Sequence, residues 1–184
     1  AVAAETFGAR PAIVDGALLR SLDGGATWTV SAAAEGRNRL LAVSAEVVLA
    51  WGRSGAGPDY DDRLFRSADG GQTWSDLGEV IDPGEFAAAF AFALPAPSTV
   101  VASDGAGNLS RSTDAGLTWL RVYTTPGPVP AFTSSAAPVF ADAQTGYFSF
   151  GAGFVIRTLD GGATWSQISS GSGTQLLDLD RFAN

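Results

Sequence analysis

Eight residues, Ser21-Leu22-Asp23-Gly24-Gly25-Ala26-Thr27-Trp28, recur three more times along this chain. The later copies are Ser67-Ala68-Asp69-Gly70-Gly71-Gln72-Thr73-Trp74, Ser112-Thr113-Asp114-Ala115-Gly116-Leu117-Thr118-Trp119 and Thr158-Leu159-Asp160-Gly161-Gly162-Ala163-Thr164-Trp165. Trp28, Trp74, Trp119 and Trp165 lie 46, 45 and 46 residues apart. A fixed period of this length marks a repeat architecture. Each repeat is then one supersecondary unit that buries its apolar face only by packing on a neighbour.

The pattern [ST]-x-D-x-G-x-T-W reads as a tight turn between two short strands. An Asp carboxylate accepts hydrogen bonds from the N–H groups of its own turn, and the Ser or Thr two residues earlier adds a hydroxyl to the same network. The second glycine is present in every copy, as Gly25, Gly71, Gly116 and Gly162, and suits a backbone with φ > 0. The first is replaced by Ala115 in the third copy, so that position reads as one that does not need φ > 0. The Trp opens the next strand with a large apolar body. Four such turns read as folding staples rather than as four active sites.

Between boxes, short apolar or alternating runs are separated by Gly, Pro, Ser and Asp, and no helix stands out. The first repeat offers Val2-Ala3-Ala4, then Ala12 to Val14, Ala17 to Arg20 and Thr27 to Val30. The second offers Leu40 to Val43, Val47 to Trp51, Arg63 to Arg66 and Thr73 to Leu77. The third offers Phe86 to Phe92, Thr99 to Ala102, Asn108 to Arg111 and Thr118 to Tyr123. The fourth offers Val139 to Ala141, Tyr147 to Phe150, Phe154 to Arg157 and Thr164 to Ile168. The repeats fall at about 1–35, 36–80, 81–125 and 126–170 within one domain. Residues 171–184, with Leu176 to Phe182, read as the start of a further blade or as a ring-closing strand. Gly52 to Asp62 reads as a loop inserted before the third strand of the second repeat, and the proline-rich Pro126 to Pro138 as an extended link.

The box resembles the Asp-box, or BNR repeat, and the runs Leu19-Arg20-Ser21, Phe65-Arg66-Ser67, Ser110-Arg111-Ser112 and Ile156-Arg157-Thr158 extend the likeness one turn upstream. Asp-boxes occur in sialidases, sortilin-type receptors, xyloglucanases and photosystem II assembly factors. The regular spacing is most like the assembly factors and sortilin. The resemblance implies an all-β fold, a β-propeller of four-stranded antiparallel blades with four complete blades visible. It fixes fold far better than function, because these families share the box and differ in activity. Four blades read as part of a larger ring of about six to eight. A four-bladed ring closed by the final segment, or a ring completed by another chain, are the alternatives.

Composition removes several function classes. The 184 residues contain no Cys, Met or His, and all eleven basic residues are Arg. Thiolate chemistry, Ser–His and Cys–His catalysis are therefore excluded, and a zinc or copper site has no soft or imidazole ligands to use. A net charge of −8 argues against nucleic acid as a partner. No apolar run reaches the length of a membrane-spanning helix, so membrane insertion is not expected. No signal-like segment opens the chain, and its start, which is not Met, reads as processed, cut or left out.

Several residue sets invite a chemical reading. Asp23, Asp69, Asp114 and Asp160 look like calcium ligands, but the further oxygen ligands at fixed offsets are missing, which favours a structural role. Arg20, Arg66, Arg111 and Arg157 recur once per blade and suit an acidic partner through planar guanidinium pairing, or else a carboxylate within or next to their own blade. Asp59, Asp61 and Asp62, with Tyr60, form a weak candidate calcium loop. Asp142, Asp178 and Asp180 lie on innermost strands, near where propellers put their ligand sites, and a pair of such carboxylates suits glycoside hydrolysis in principle, although such positions also hold turn-capping Asp. Tyr60, Tyr123 and Tyr147 match no sialidase nucleophile context, so no catalytic residue is transferred.

The expectation is a non-enzymatic scaffold or protein-binding propeller without a cofactor. The resemblance implies docking on a membrane protein complex from its aqueous side, as an assembly factor of photosynthesis does. The alternative is a carbohydrate-active propeller, either a sialidase-like glycoside hydrolase or a sugar-binding module. Absence of Cys fits an extracytoplasmic location, periplasmic or secreted.

Overall fold

The computed structural model describes residues 10–14, 17–21, 23, 25–33, 37–54, 61–78, 91–104, 106–126, 137–150 and 154–168. The chain divides into two compact units, Ala1–Val80 and Ile81–Asn184, and the division falls between the second and third repeats. Among the described residues every regular element is a strand, and no helix is long and apolar enough to cross a membrane.

The first unit holds a three-stranded sheet of β1 (Arg10–Val14), β2 (Ala17–Ser21) and β3 (Thr29–Ala33), and a four-stranded sheet of β4 (Arg37–Ala42), β5 (Val48–Ser54), β6 (Asp61–Ser67) and β7 (Ser75–Gly78). The second unit holds two four-stranded sheets. These are β8 (Ala91–Ala96), β9 (Thr99–Ser103), β10 (Leu109–Ser112) and β11 (Leu120–Tyr123), then β12 (Val139–Phe140), β13 (Gly146–Phe150), β14 (Phe154–Thr158) and β15 (Ser166–Gln167). Each sheet is an antiparallel meander in sequence order, the simplest topology for strands joined by short connections. Three repeats thus show a complete four-stranded sheet and the first shows three strands. The expected strand Val2-Ala3-Ala4, the closing segment Leu176 to Phe182 and residues 127–136 of the proline-rich link lie outside the described residues.

Two expectations about strand limits are corrected. Gly52 to Asp62 is not an inserted loop throughout. β5 runs on to Ser54 and β6 begins at Asp61, with Gly52 opposite Arg63, Arg53 opposite Asp62 and Ser54 opposite Asp61. Polar residues at the end of a hairpin pair through their backbone as readily as apolar ones, so side-chain polarity concealed three rungs of the ladder. The first strand of the third repeat is β8, ending at Ala96 rather than Phe92. It accommodates Pro95 because the register shifts between Ala93 and Ala96, and a bulge tolerates a residue without an N–H.

The core of the second unit lies between its two sheets. Strand alternation places Val101 and Leu109 on one face of the third blade and Phe148 and Ile156 on one face of the fourth. These four pack together and are essentially buried, with Val122, Tyr123, Phe140 and Trp165 at the margin. Burying each such side chain is worth about 2 kcal/mol. The first strands β8 and β12 lie next to each other, so the two sheets stack blade on blade. In the first unit Val48, Leu49, Ala50 and Trp51 of β5 are buried in succession, as expected of a strand whose two faces are both apolar.

Candidate functional site

The box turns are the most repeated chemical feature, and their hydrogen bonds are the same in all four copies. In the fourth, the Thr158 hydroxyl donates to Asp160 Oδ1 at 2.7 Å and accepts from the N–H of Gly162 at 2.9 Å. The Thr164 N–H donates to Asp160 Oδ1 at 2.9 Å and its hydroxyl to Oδ2 at 2.6 Å. The Trp165 indole N–H closes the turn on the carbonyl of Gly162 at 3.1 Å. Ser21, Asp23, Gly25, Thr27 and Trp28 repeat these contacts, as do Ser67, Asp69, Gly71, Thr73 and Trp74. Ser112, Asp114, Gly116, Thr118 and Trp119 complete the set. Both oxygens of each carboxylate are engaged by their own turn, which leaves little capacity for a cation. Among the described residues no group of three or more acidic or imidazole side chains is placed to hold a metal.

This hydrogen bonding sets the charge state. Burial pushes the Asp114 and Asp160 carboxyls up, but hydrogen bonds from Thr118 and Ser112, and from Thr164 and Thr158, outweigh it and hold both at about 2. The Thr27 and Thr73 hydroxyls and N–H groups hold Asp23 and Asp69 lower still. A carboxyl depressed on folding stabilises the native state above its unfolded value, ordinarily 3.8, and ceases to do so as pH falls through its folded value. The urea midpoint is therefore expected to be flat from neutral pH to about 5 and to fall between about 4 and 2. Asp160→Asn should shrink that acid loss, and a midpoint equally acid-sensitive in the variant would contradict this account.

The first glycine position behaves differently from the expectation. Gly70, Ala115 and Gly161 have φ of 67, 57 and 68°, so the position is left-handed in each of these boxes, Ala115 included. The reason is a shared contact. The N–H groups of these residues donate to the carbonyls of Glu46, Ser98 and Gln144, in the turn between the first two strands of the same blade, at 2.6, 2.9 and 2.9 Å. Left-handed backbone aims the N–H there. An L-residue pays about 1–2 kcal/mol for this conformation, against about 0.5–1 kcal/mol of extra chain entropy for glycine. Ala115→Gly is thus expected to raise stability by ~0.5 kcal/mol in urea unfolding. Gly161→Ala should lower it, because a methyl there would lie 2.9 Å from the Ala143 carbonyl oxygen.

The repeated arginines sit at the head of each box. Arg111 Nε–H donates to the carbonyl of Gly161 at 2.9 Å, fifty residues away in the box of the next blade. Its partner is a backbone carbonyl rather than a carboxylate. Arg20 Nε and Arg157 Nε are buried and have no hydrogen-bond partner among the described residues. Arg66 is half-buried. Asp142 caps the turn after β12, accepting from the N–H groups of Gln144 and Thr145 at 2.7 Å each. The Thr145 and Gln144 bonds draw its carboxyl below the usual range, the reverse of what a general acid requires. Asp178 and Asp180 lie outside the described residues, as do Asp59 and Tyr60, while Asp61 and Asp62 fall on β6. Tyr123 borders the core, and burial raises its hydroxyl, which disfavours the phenolate of a nucleophile.

One polar cluster escaped the sequence reading. Asp104, nearly buried, accepts from the N–H groups of Ala106 and Asn108 and from Asn108 Nδ2 at 2.8–2.9 Å. Asn108 Oδ1 in turn accepts from the Thr125 N–H at 3.0 Å. Asp104 and Asn108 bracket a turn between β9 and β10 and tie it to the end of β11. Their spacing is a visible signal, but Thr125 is too distant in sequence to suggest itself.

Fold and turns together define an all-β repeat protein built from Asp-box blades. The BNR/Asp-box repeat model matches residues 65–76. No curated protein matches significantly. Among solved structures, the chain is similar to YCF48 from Cyanidioschyzon merolae, at 16% identity and a TM-score of 0.51, over 88% of this chain and 52% of that one. It also aligns with YCF48 bound to D1 peptide, at 16% identity and a TM-score of 0.43, over 84% and 74% of the two chains. The GH74 xyloglucanase from Xanthomonas campestris aligns at 17% identity and a TM-score of 0.41, over 84% and 34%. This chain therefore spans about half the length of the C. merolae protein and a third of the xyloglucanase.

Proposed function

We propose that this chain is a non-enzymatic, protein-binding scaffold of propeller blades, an accessory or assembly subunit that docks on a membrane protein complex from its aqueous side. The observation behind this reading is the use made of the box groups. The carboxylates and hydroxyls that recur in every blade are engaged by their own turns, and Arg111, next to the third box, ties blade to blade. The repeated chemistry builds the fold and leaves loops and blade faces for recognition. The likeness of fold to YCF48 from C. merolae is consistent with an assembly role, and an extracytoplasmic location goes with it.

The test is affinity capture of the tagged chain from detergent-solubilised membranes of its own source, with parallel incubation on sialosides and xyloglucan. Co-purification with a larger membrane assembly and no sugar released is the expected result. Turnover of either glycan would replace the scaffold reading with a glycosidase. Recovery of the chain without any assembly would also overturn it.

A further inference from the structure

Among the described residues two non-glycine positions have φ > 0, Ser98 at 64° and Ala115 at 57°. They are bonded to each other, the Ala115 N–H donating to the Ser98 carbonyl at 2.9 Å. The second and fourth blades make the corresponding contact differently at both ends. Their donors are Gly70 and Gly161, for which left-handed backbone carries no Cβ penalty. Their acceptors, Glu46 and Gln144, sit in wide, capped turns. Ala42 pairs with Val48 and Phe140 with Gly146, so five residues, 43–47 and 141–145, form each turn. The Val43 and Ala141 N–H groups close these turns on the carbonyls of Val47 and Thr145 at 2.9 Å each. Ser44 Oγ accepts from the N–H groups of Glu46 and Val47 at 3.2 and 2.9 Å, and Asp142 does the same for Gln144 and Thr145. In the third blade Ala96 pairs with Thr99, and two residues, Pro97 and Ser98, lie between them. Pro97 has no N–H to be capped, and no side chain caps this turn among the described residues. A turn whose second central residue has φ > 0 ordinarily places Gly or Asn there; here it is Ser98.

We propose that the Ser98–Ala115 contact is a weak latch, a point at which the third blade opens locally while the matching contacts of the second and fourth blades stay shut. The same hydrogen bond is made in all three blades, but what holds its two ends differs. Glu46 and Gln144 are fixed by a capping side chain as well as by the box. Ser98 and Ala115 are held in a strained backbone conformation at both ends of one bond, and such strain persists only while the surroundings enforce it. Breaking the bond relaxes both residues at once. In the fourth blade it relaxes a glycine and leaves Gln144 capped by Asp142. Burial does not set the three apart, since Gly70, Ala115 and Gly161 are all buried and Glu46, Ser98 and Gln144 are all exposed. The opening is also self-contained. The bond is not a rung of the sheet, so the 97–98 turn can part from the box with the β8–β9 and β9–β10 ladders intact. The protein thus has one adjustable blade end, and segments of low local stability are those that move when a protein changes shape.

Native-state amide hydrogen exchange of the 184-residue chain, read residue by residue by NMR, tests this. Gly161 lies in the same compact unit as Ala115 and is the internal reference. After correction for intrinsic exchange rates, the Ala115 N–H is expected to be protected about tenfold less than the Gly161 N–H. The double variant Ser98→Gly, Ala115→Gly relieves both strained positions and should recover about fivefold of that protection. Both replacements suit the observed backbone, so the variant keeps the fold. The Val101 and Leu109 amides, on the sheet itself, should exchange more slowly than Ala115 in the unaltered chain. Equal protection of Ala115 and Gly161 overturns the proposal. So does a double variant in which Ala115 remains as poorly protected as before, because strain would then not be the cause.

Discussion

Gly162→Ala is expected to cost about 3 kcal/mol in urea unfolding. Two independent terms produce the loss. The residue has φ +85°, where an L-residue is strained by about 1–2 kcal/mol. The new methyl would also lie 2.8 Å from Val101 Cγ2 and 3.5 Å from Phe140, inside the closely packed seam between third and fourth blades, where overpacking costs about 1–3 kcal/mol. Gly25→Ala isolates the first term. Its φ is +100°, but the methyl meets only the Trp28 ring at an ordinary 3.6 Å, so about 1.5 kcal/mol is expected. Equal losses in the two variants would show that the seam contributes nothing.

Thr158→Val should cost about 2–3 kcal/mol, although it preserves shape. Thr158 is 1% exposed, and its hydroxyl serves three groups of the fourth box: the Asp160 carboxylate, the Asp160 N–H and the buried Gly162 N–H. A methyl leaves that last donor without a partner, and an orphaned buried group costs about 1–3 kcal/mol. Thr158→Ser keeps all three bonds, and serine fills this place in the other three boxes. It should lose less than about 1 kcal/mol, for one methyl. Similar midpoints for the valine and serine variants would refute the hydroxyl's role.

The elements most legible in the sequence were those whose cause is local. The box turns could be read because Ser, Asp, Gly and Thr bond to one another within eight residues. Strands such as Ala17–Ser21 and Phe154–Thr158 announced themselves by apolar runs next to those turns. What escaped was backbone or distance. Ala115 hid a left-handed position because its side chain gives no sign of φ. Residues 52–54 and 61–63 pair through a backbone that polarity does not reveal. The contact of Arg111 with Gly161 spans fifty residues, and no spacing rule foretells which carbonyl a neighbouring blade will offer. The same applies to Asn108 and Thr125.

That long-range contact bears on how such a chain can grow. Gly161 receives Arg111 of the preceding blade on its carbonyl and gives its own N–H to Gln144, so one peptide turn joins a module to itself and to its predecessor. Both coupling parts lie within a single period of about 46 residues. Tandem duplication of that stretch of DNA would deliver a blade with its fastenings included, needing no compensating change next door, as nearest-neighbour repeat stability allows. Selection on loop residues could then diverge one blade from the next while the box turn, which recurs in every copy, stayed the same.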